Sequence, residues 1–276
     1  ILNIFLVIWI KEHIFANMIF YFSGTGNTKW AAETIAQSTN ERLIAIADEI
    51  NTDCHYSLEE GERIGFCFPV HGWQPPHIVR MFISKLSFSN YNDNYTYALC
   101  TCGDTVGHTM RILAKDLSNK NMILSSCFSI IMPESYVCLP FMYTDTEEKE
   151  ANKINNARTV IKTISEDIVN YRKGIERLVK GATPWLYSHV IGNYFNKRMV
   201  TDKPFNVNNS ECIGCGLCEK VCPTKNIIIQ DNKPTWKLNG DCTCCLACYH
   251  HCPKHAINYG KITRKRGQYY FKENII

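Results

Sequence analysis

The chain has 276 residues, 45% of them hydrophobic, with 30 Lys or Arg against 26 Asp or Glu, enough sequence of nearly balanced charge for about two packed domains. Its fifteen cysteines fall below the roughly 8–10% that marks a disulfide scaffold, and the count is odd, so a reducing, cytoplasmic compartment is expected. No run reaches the ~18 apolar residues of a membrane-spanning helix.

Residues 1–17, ILNIFLVIWIKEHIFAN, lack the positive start of a signal peptide and are too short to span a bilayer. We expect the native chain to begin at Met18 and treat 1–17 as a non-native or disordered extension; native protein whose N-terminal sequence starts at Ile1 would overturn that. Met18–Phe22, MIFYF, reads as a strand. It runs into Ser23-Gly24-Thr25-Gly26-Asn27-Thr28, and a helix follows from Lys29 to about Ser38 with Trp30, Ala31, Thr34 and Ile35 on one face. A strand, a tight hydroxyl-rich loop and a helix make a phosphate cradle: glycines admit the oxygens, hydroxyls and N–H groups bond them, and the helix N-terminus favours their charge. No Gly-Lys-Ser/Thr ending is present, and Lys29 stands where a dinucleotide fingerprint needs its third glycine.

Further along, 42–50, 63–70, 95–102 and 122–132 read as strands, and 76–86 and 105–118 as helices. Ile154, Ala157, Ile161, Ile164, Ile168 and Tyr171 recur at spacings of three and four, a long amphipathic helix. Alternation of this kind predicts a doubly wound parallel sheet over residues 18–173. The loop SGTGNT, directly after the first strand, resembles the phosphate loop of flavodoxins. That resemblance implies the α/β flavodoxin-like strand order 2-1-3-4-5 and a bound FMN, held at Ser23, Gly24, Thr25, Gly26, Asn27 and Thr28.

In such a sheet ligands lie beyond the carboxyl ends of the strands. The third strand is followed by Pro69-Val70-His71-Gly72-Trp73, where Pro69, His71 and Gly72 shape a turn and the Trp73 indole could stack on a flavin ring. Its plainer reading is an aromatic capping the sheet end, and for His71 a turn residue without a proton role. Thr101, Cys102 and Gly103 follow the fourth strand and could contact the ring edge; packing is the expected role of the Cys102 thiol. Met132-Pro133-Glu134-Ser135-Tyr136, after the fifth, is similar to a pattern in flavodoxin-ferredoxin fusion proteins of anaerobic microbes.

Residues 174–208 are expected to be a helical connector, with Tyr187, Val190, Ile191, Tyr194 and Phe195 as an apolar stripe packing one unit on the other. Then Cys-x2-Cys-x2-Cys-x3-Cys-Pro occurs twice, thirty residues apart: Cys212, Cys215, Cys218, Cys222-Pro223 and Cys242, Cys245, Cys248, Cys252-Pro253. Three thiolates at this spacing grip three irons of a cubane while a fourth comes from elsewhere. A single zinc would use neither the third cysteine nor the trailing Cys-Pro.

Residues 209–257 resemble the bacterial-type 2[4Fe-4S] ferredoxins, a small α+β dicluster domain whose fourth cysteines cross over. The resemblance implies one cluster on Cys212, Cys215, Cys218 and Cys252 and a second on Cys242, Cys245, Cys248 and Cys222. Cys244, wedged between two ligands, is expected to pack rather than to ligate. The tail, 258–276, is expected to add a strand or an arm.

Residues 209–276 carry ten Lys or Arg against five Asp or Glu. Compensation of the anionic clusters or a solvated tail ranks ahead of nucleic-acid binding by Lys261, Arg264, Lys265 and Arg266. Flavodoxin-like and ferredoxin-like units in this order imply an electron-transfer protein passing single electrons between two [4Fe-4S] clusters and FMN, served by redox partner proteins. The alternatives are an FMN-dependent oxidoreductase of a small substrate, with His71, Asp104 and Tyr136 as acid or base candidates, and an iron-sulfur redox sensor. No catalytic residue is assigned.

Overall fold

The computed structural model describes residues 17–272; the expectation of a start at Met18 concerns residues 1–17, of which all but Asn17 lie outside them. The N-terminal unit runs β1 (Met18–Tyr21), α1 (Asn27–Thr39), β2 (Arg42–Ala45), α2 (Ile46–Glu49), β3 (His55–Ser57), β4 (Ile64–Pro69), α3 (His77–Lys85), β5 (Ser87–Ser89), β6 (Thr96–Cys102), α4 (Thr109–Ser118), β7 (Ser126–Ile131), α5 (Glu147–Val169) and β8 (Glu176–Arg177). Six of the strands form one sheet in the order β2-β1-β4-β6-β7-β8, and every neighbouring pair in it is parallel. The fold is flavodoxin-like, with β8 added at the edge beyond the fifth strand of the expected order.

The central strands are buried on both faces, which is why β4 (IGFCFP) and β6 (TYALCTC) read as nearly continuous apolar runs. One core layer packs Phe20, Phe66 and Phe82 with α3 and α4; the other packs Ile35, Phe128, Ile161 and Ile164 between α1, α5 and the sheet. Three expected boundaries move. The strand expected at 42–50 stops at Ala45 and turns into α2, because Ile46 and Ile50 bury on one face four residues apart. The helix expected from 105 starts at Thr109, since the N–H groups of Val106 and Gly107 pair with the carbonyls of Val179 and Lys180. The strand expected from 122 starts at Ser126.

At the sheet end opposite the loops just named, Glu41 and Arg63 form a buried ion pair and Tyr97 donates its hydroxyl to Glu41. Arg63 also donates to the carbonyl of Thr39 at 2.8 Å. Arg63→Met would leave the Glu41 carboxylate buried without its counter-charge. We expect it to destabilise the N-terminal unit by about 3–5 kcal/mol; equal unfolding midpoints in urea for wild type and variant would refute this.

The connector forms a π-helical turn at Leu186–Ile191 continued by α6 (Gly192–Arg198). Of the expected stripe Phe195 is buried and Tyr187 half-buried against Trp73, whereas Val190, Ile191 and Tyr194 are 48%, 41% and 64% exposed, and Ser188 and Gly192 complete the buried face. Ser188 accepts the His108 N–H and donates to the Trp73 carbonyl, and Gly192 has no side chain to hold its backbone off the Gly72 carbonyl, so small residues take the places of large apolar ones.

The C-terminal unit comprises β9 (Phe205–Val207), α7 (Leu217–Lys220), β10 (Ile227–Gln230), β11 (Lys233–Trp236), α8 (Ala247–His250) and β12 (Ile257–Tyr259). Two antiparallel pairs, β10 with β11 and β9 with β12, close it. Phe205 stacks on Trp236 at 5.3 Å and meets Tyr259 edge-on at 5.0 Å. A 3-10 turn at Ile262–Lys265 then leads into an arm that reaches back to the N-terminal unit. No helix among the described residues is long and apolar enough to cross a membrane.

Candidate functional site

A cavity of about 260 Å³ opens at the carboxyl ends of the sheet strands. Ser23, Gly24, Thr25, Asn27 and Thr28 line it from the loop after β1, Pro69, His71, Gly72 and Trp73 from the loop after β4, and Thr101, Cys102 and Gly103 from the end of β6. All the expected flavin-loop residues except Gly26 therefore share one wall. The first helical bond of α1 runs from the Trp30 N–H to the Gly26 carbonyl, so the N–H groups of residues 27–29 are left for a ligand. Among the described residues the Thr25 hydroxyl has no hydrogen-bond partner. The Thr28 hydroxyl is paired with that of Thr101 at 2.7 Å.

The Trp73 indole stacks on Tyr187 at 4.8 Å and donates to the Thr105 hydroxyl at 3.1 Å, so one of its faces is covered from within. Burial pushes the His71 imidazole down to about 4 and the Cys102 thiol up to about 12; Cys102 Sγ donates to the Asp104 carbonyl at 3.4 Å. Because the folded value of His71 lies below its ordinary 6.5, its contribution to stability is complete above pH 6.5 and is lost as the pH falls toward 4. We expect wild type to lose up to about 1.4 kcal/mol more per pH unit than His71→Gln over that window. Identical pH slopes in denaturant unfolding would refute it.

Further residues line the cavity, of which Leu139 and Met142 carry no signal in the sequence. Glu134 is half-buried, with the pKa of its carboxyl raised by desolvation; its Oε1 accepts the N–H groups of Ser135 at 2.9 Å and Tyr136 at 2.7 Å. Leu139 and Met142 line the rim, and Phe195 reaches in from α6 where Gly72 has no side chain to block its ring. Cys244 and Cys245 complete the wall from the C-terminal unit.

That last contact joins the two halves. A Cβ on Gly24 would stand 2.7 Å from Cys245 Cβ and 3.0 Å from the Cys245 carbonyl oxygen, so glycine is what lets the two backbones approach. The junction is pinned elsewhere by specific bonds. His250 Nε2 pairs with the Ser135 carbonyl at 2.6 Å, and its Nδ1 accepts the Tyr269 N–H at 3.0 Å. Tyr269 donates its hydroxyl to Asn27 Oδ1 at 2.6 Å, while Asn27 Nδ2 donates to the Pro133 carbonyl at 3.0 Å. The Phe271 N–H bonds the Thr25 carbonyl at 2.7 Å, and its ring packs on Trp30. The tail thus straps the outer side of the SGTGNT loop, and the Asn27 side chain is occupied in holding it there.

The cysteines gather in the crossed sets. Cys212, Cys215, Cys218 and Cys252 surround one small cavity, and Cys222, Cys242, Cys245 and Cys248 another. Backbone N–H groups donate to the remote sulfurs in matching fashion: Asn226 to Cys222 and Ala256 to Cys252, both at 3.3 Å. Among the described residues no three His, Cys, Asp or Glu converge on a point suited to one metal ion; each set of four thiols encloses a space instead. Burial pushes Cys218 and Cys245 up to about 11, so bound cations are needed to hold them as thiolates. Cys244 stands outside both sets, buried in one apolar cluster with Val137 and Cys138.

Residues 211–257 match the family model of the 4Fe-4S dicluster domain. Among solved structures, an assigned flavoprotein of Bacteroides uniformis ATCC 8492 is 18% identical with a TM-score of 0.34, over 42% of this chain and 90% of that one. Another, of Bacteroides eggerthii DSM 20697, is 19% identical with a TM-score of 0.29, over 41% and 84%. An azoreductase of Bacillus anthracis str. Sterne is 9% identical with a TM-score of 0.34, over 56% and 99%. At such scores we rest nothing on these likenesses. No curated protein sequence matches the chain.

Proposed function

We propose that this protein carries single electrons between two [4Fe-4S] clusters and an FMN held in the cavity at the end of the flavodoxin-like sheet. The observation that carries the reading is the contact of Cys245, a member of one crossed cysteine set, with Gly24 of the phosphate loop. Iron-sulfur redox chemistry follows from the dicluster match, and the two sets of four thiols that line two small cavities fit it. The free N–H groups of residues 27–29, the unpartnered Thr25 hydroxyl and the close glycine backbone fit a monophosphate. His71, Gly72, Trp73, Thr101, Cys102 and Gly103 would border the ring. A flavin in this place would interconvert one- and two-electron chemistry.

The chain's own contribution is to hold the cavity against the second cysteine set without a mobile tether. His250, Tyr269 and Phe271 fasten the C-terminal unit onto loops of the N-terminal one. Stopped-flow photoreduction of anaerobically reconstituted protein tests the reading. Flavin reduction following cluster reduction at a rate independent of protein concentration supports it; a rate that falls in proportion to dilution refutes the docked arrangement.

A second reading, reduction of a small substrate at the flavin, is favoured by the half-buried Glu134 carboxyl in the cavity wall, whose pKa desolvation raises. Glu134→Gln should then abolish turnover with two-electron acceptors and spare one-electron acceptors. Equal turnover with both would remove this alternative.

A further inference from the structure

The thirty-residue repeat sets each position of one cysteine run against one of the other, and two of the pairs differ in the same sense. Between its first two cysteines the second set has Thr243 where the first has Ile213, and two residues after the remote cysteine it has Thr224 where the first has Lys254. Both threonines line the cavity around Cys222, Cys242, Cys245 and Cys248. Thr224 Oγ1 is 3.7 Å from Cys222 Sγ. Thr243 is 5% exposed, and its hydroxyl oxygen is buried with no hydrogen-bond partner among the described residues, a costly state for a group that can both donate and accept. The same hydroxyl works against the burial that pushes the Cys245 thiol up to about 11. Asn226 Oδ1, also unpartnered on that cavity, can only accept, and its Nδ2 is committed to Asp202 at 2.8 Å; the hydroxyls, by contrast, can donate. Around the other set Ile213 is 61% exposed and Lys254 is exposed, as is the ligand Cys215.

We propose that the Thr243 and Thr224 hydroxyls donate hydrogen bonds to the sulfurs of the second cluster and set its reduction potential, keeping a buried cluster reducible beside an exposed one. The inference rests on the proposed function and adds the residues that balance electron exchange between the two clusters. Reduction adds a negative charge to a centre that is already anionic, and the drier surroundings of the second set, whose Cys248 is 7% exposed, oppose it. Donors to sulfur offset that penalty, because a hydrogen bond strengthens as its acceptor gains charge. The backbone donors at the remote cysteines are matched, Asn226 on Cys222 and Ala256 on Cys252 both at 3.3 Å, so they favour neither cluster. The Cys244 N–H on Cys242 at 3.4 Å acts in the same sense as the threonines. In the exchange one electron leaves one cluster as it enters the other, with no bond made or broken.

Potentiometric titration followed by electron paramagnetic resonance, on anaerobically loaded full-length protein, tests this with Thr224→Val/Thr243→Val, which keeps the shape of both side chains and removes both hydroxyls. We expect the reduction equilibrium of one cluster to become at least about tenfold less favourable, a fall of about 59 mV for one electron. The other cluster should stay unmoved, and Thr224→Ser/Thr243→Ser should return to the wild-type value. The cluster that moves should be the one missing from Cys245→Ser protein. Equal potentials in wild type and variant, a parallel fall in both clusters, or a fall that serine does not reverse would overturn the assignment. Iron and sulfide are counted on the same samples: wild type that takes fewer than two clusters overturns the proposed function, whereas fully loaded protein with unmoved potentials overturns only the role of the threonines. If the double variant loads less iron than wild type, each single variant is titrated in its place against the same outcomes.

Discussion

Cys245→Ser, reconstituted anaerobically, should hold about half the iron of the wild type, while Cys244→Ser should hold all of it. The two residues are neighbours in sequence and differ by register. Cys245 faces the space shared with Cys222, Cys242 and Cys248. Cys244, 2% exposed, turns the other way toward Cys138. Cys245 belongs to the set that lies against Gly24, so the cluster left behind is the one farther from the cavity. Photoreduction should then fill that cluster, seen by its electron paramagnetic resonance, without reducing flavin in the same chain. Full iron in Cys245→Ser, or half the iron in Cys244→Ser, would reverse the ligand register.

Replacement of Thr25 and Thr28 by Val should weaken FMN binding at least about a hundredfold. Two hydrogen bonds to a charged phosphate are removed, each worth roughly 1.5–3 kcal/mol, and each 1.4 kcal/mol is about tenfold in affinity. The two positions differ in a way that separates binding from folding. Thr25 has no hydroxyl partner within the described chain, so Thr25→Val should lower affinity and leave the apoprotein's melting temperature unchanged. The Thr28 hydroxyl is 2.7 Å from that of Thr101 and the residue is 1% exposed, so Thr28→Val should lower both. Fluorescence-quenching titration with FMN and thermal melts of the apoprotein read the two effects. FMN affinity unchanged in the double variant would remove the phosphate assignment.

The cysteine sets and the phosphate loop were legible because their geometry is local. Three ligands two residues apart, a strand running into SGTGNT, and apolar residues at helical spacing all encode structure within a few turns of chain. The parallel sheet followed from alternation of such elements, and its strand order from the resemblance of SGTGNT to the flavodoxin loop. Where the local pattern met a long-range competitor it failed: the N–H groups of Val106 and Gly107 went to the edge at residues 179–180 rather than into α4. The connector's buried face likewise escaped the apolar pattern in part, because Ser188 and Gly192 meet the N-terminal unit through a hydroxyl and a bare backbone.

What the sequence determined unaided is therefore the local make-up of each unit, two thiol sets and one glycine- and hydroxyl-rich loop after β1, since such spacing is a property of short segments. Only the tertiary structure decided which thiol set lies against the loop and which is left facing solvent. Nothing periodic links Gly24 with Cys245, or Ser135 with His250, and Tyr269 meets Asn27 across 242 residues of chain. Such contacts depend on how two finished surfaces fit, and a missing Cβ at Gly24 or a neutral imidazole at His250 acquires its meaning only once the opposite surface is in place.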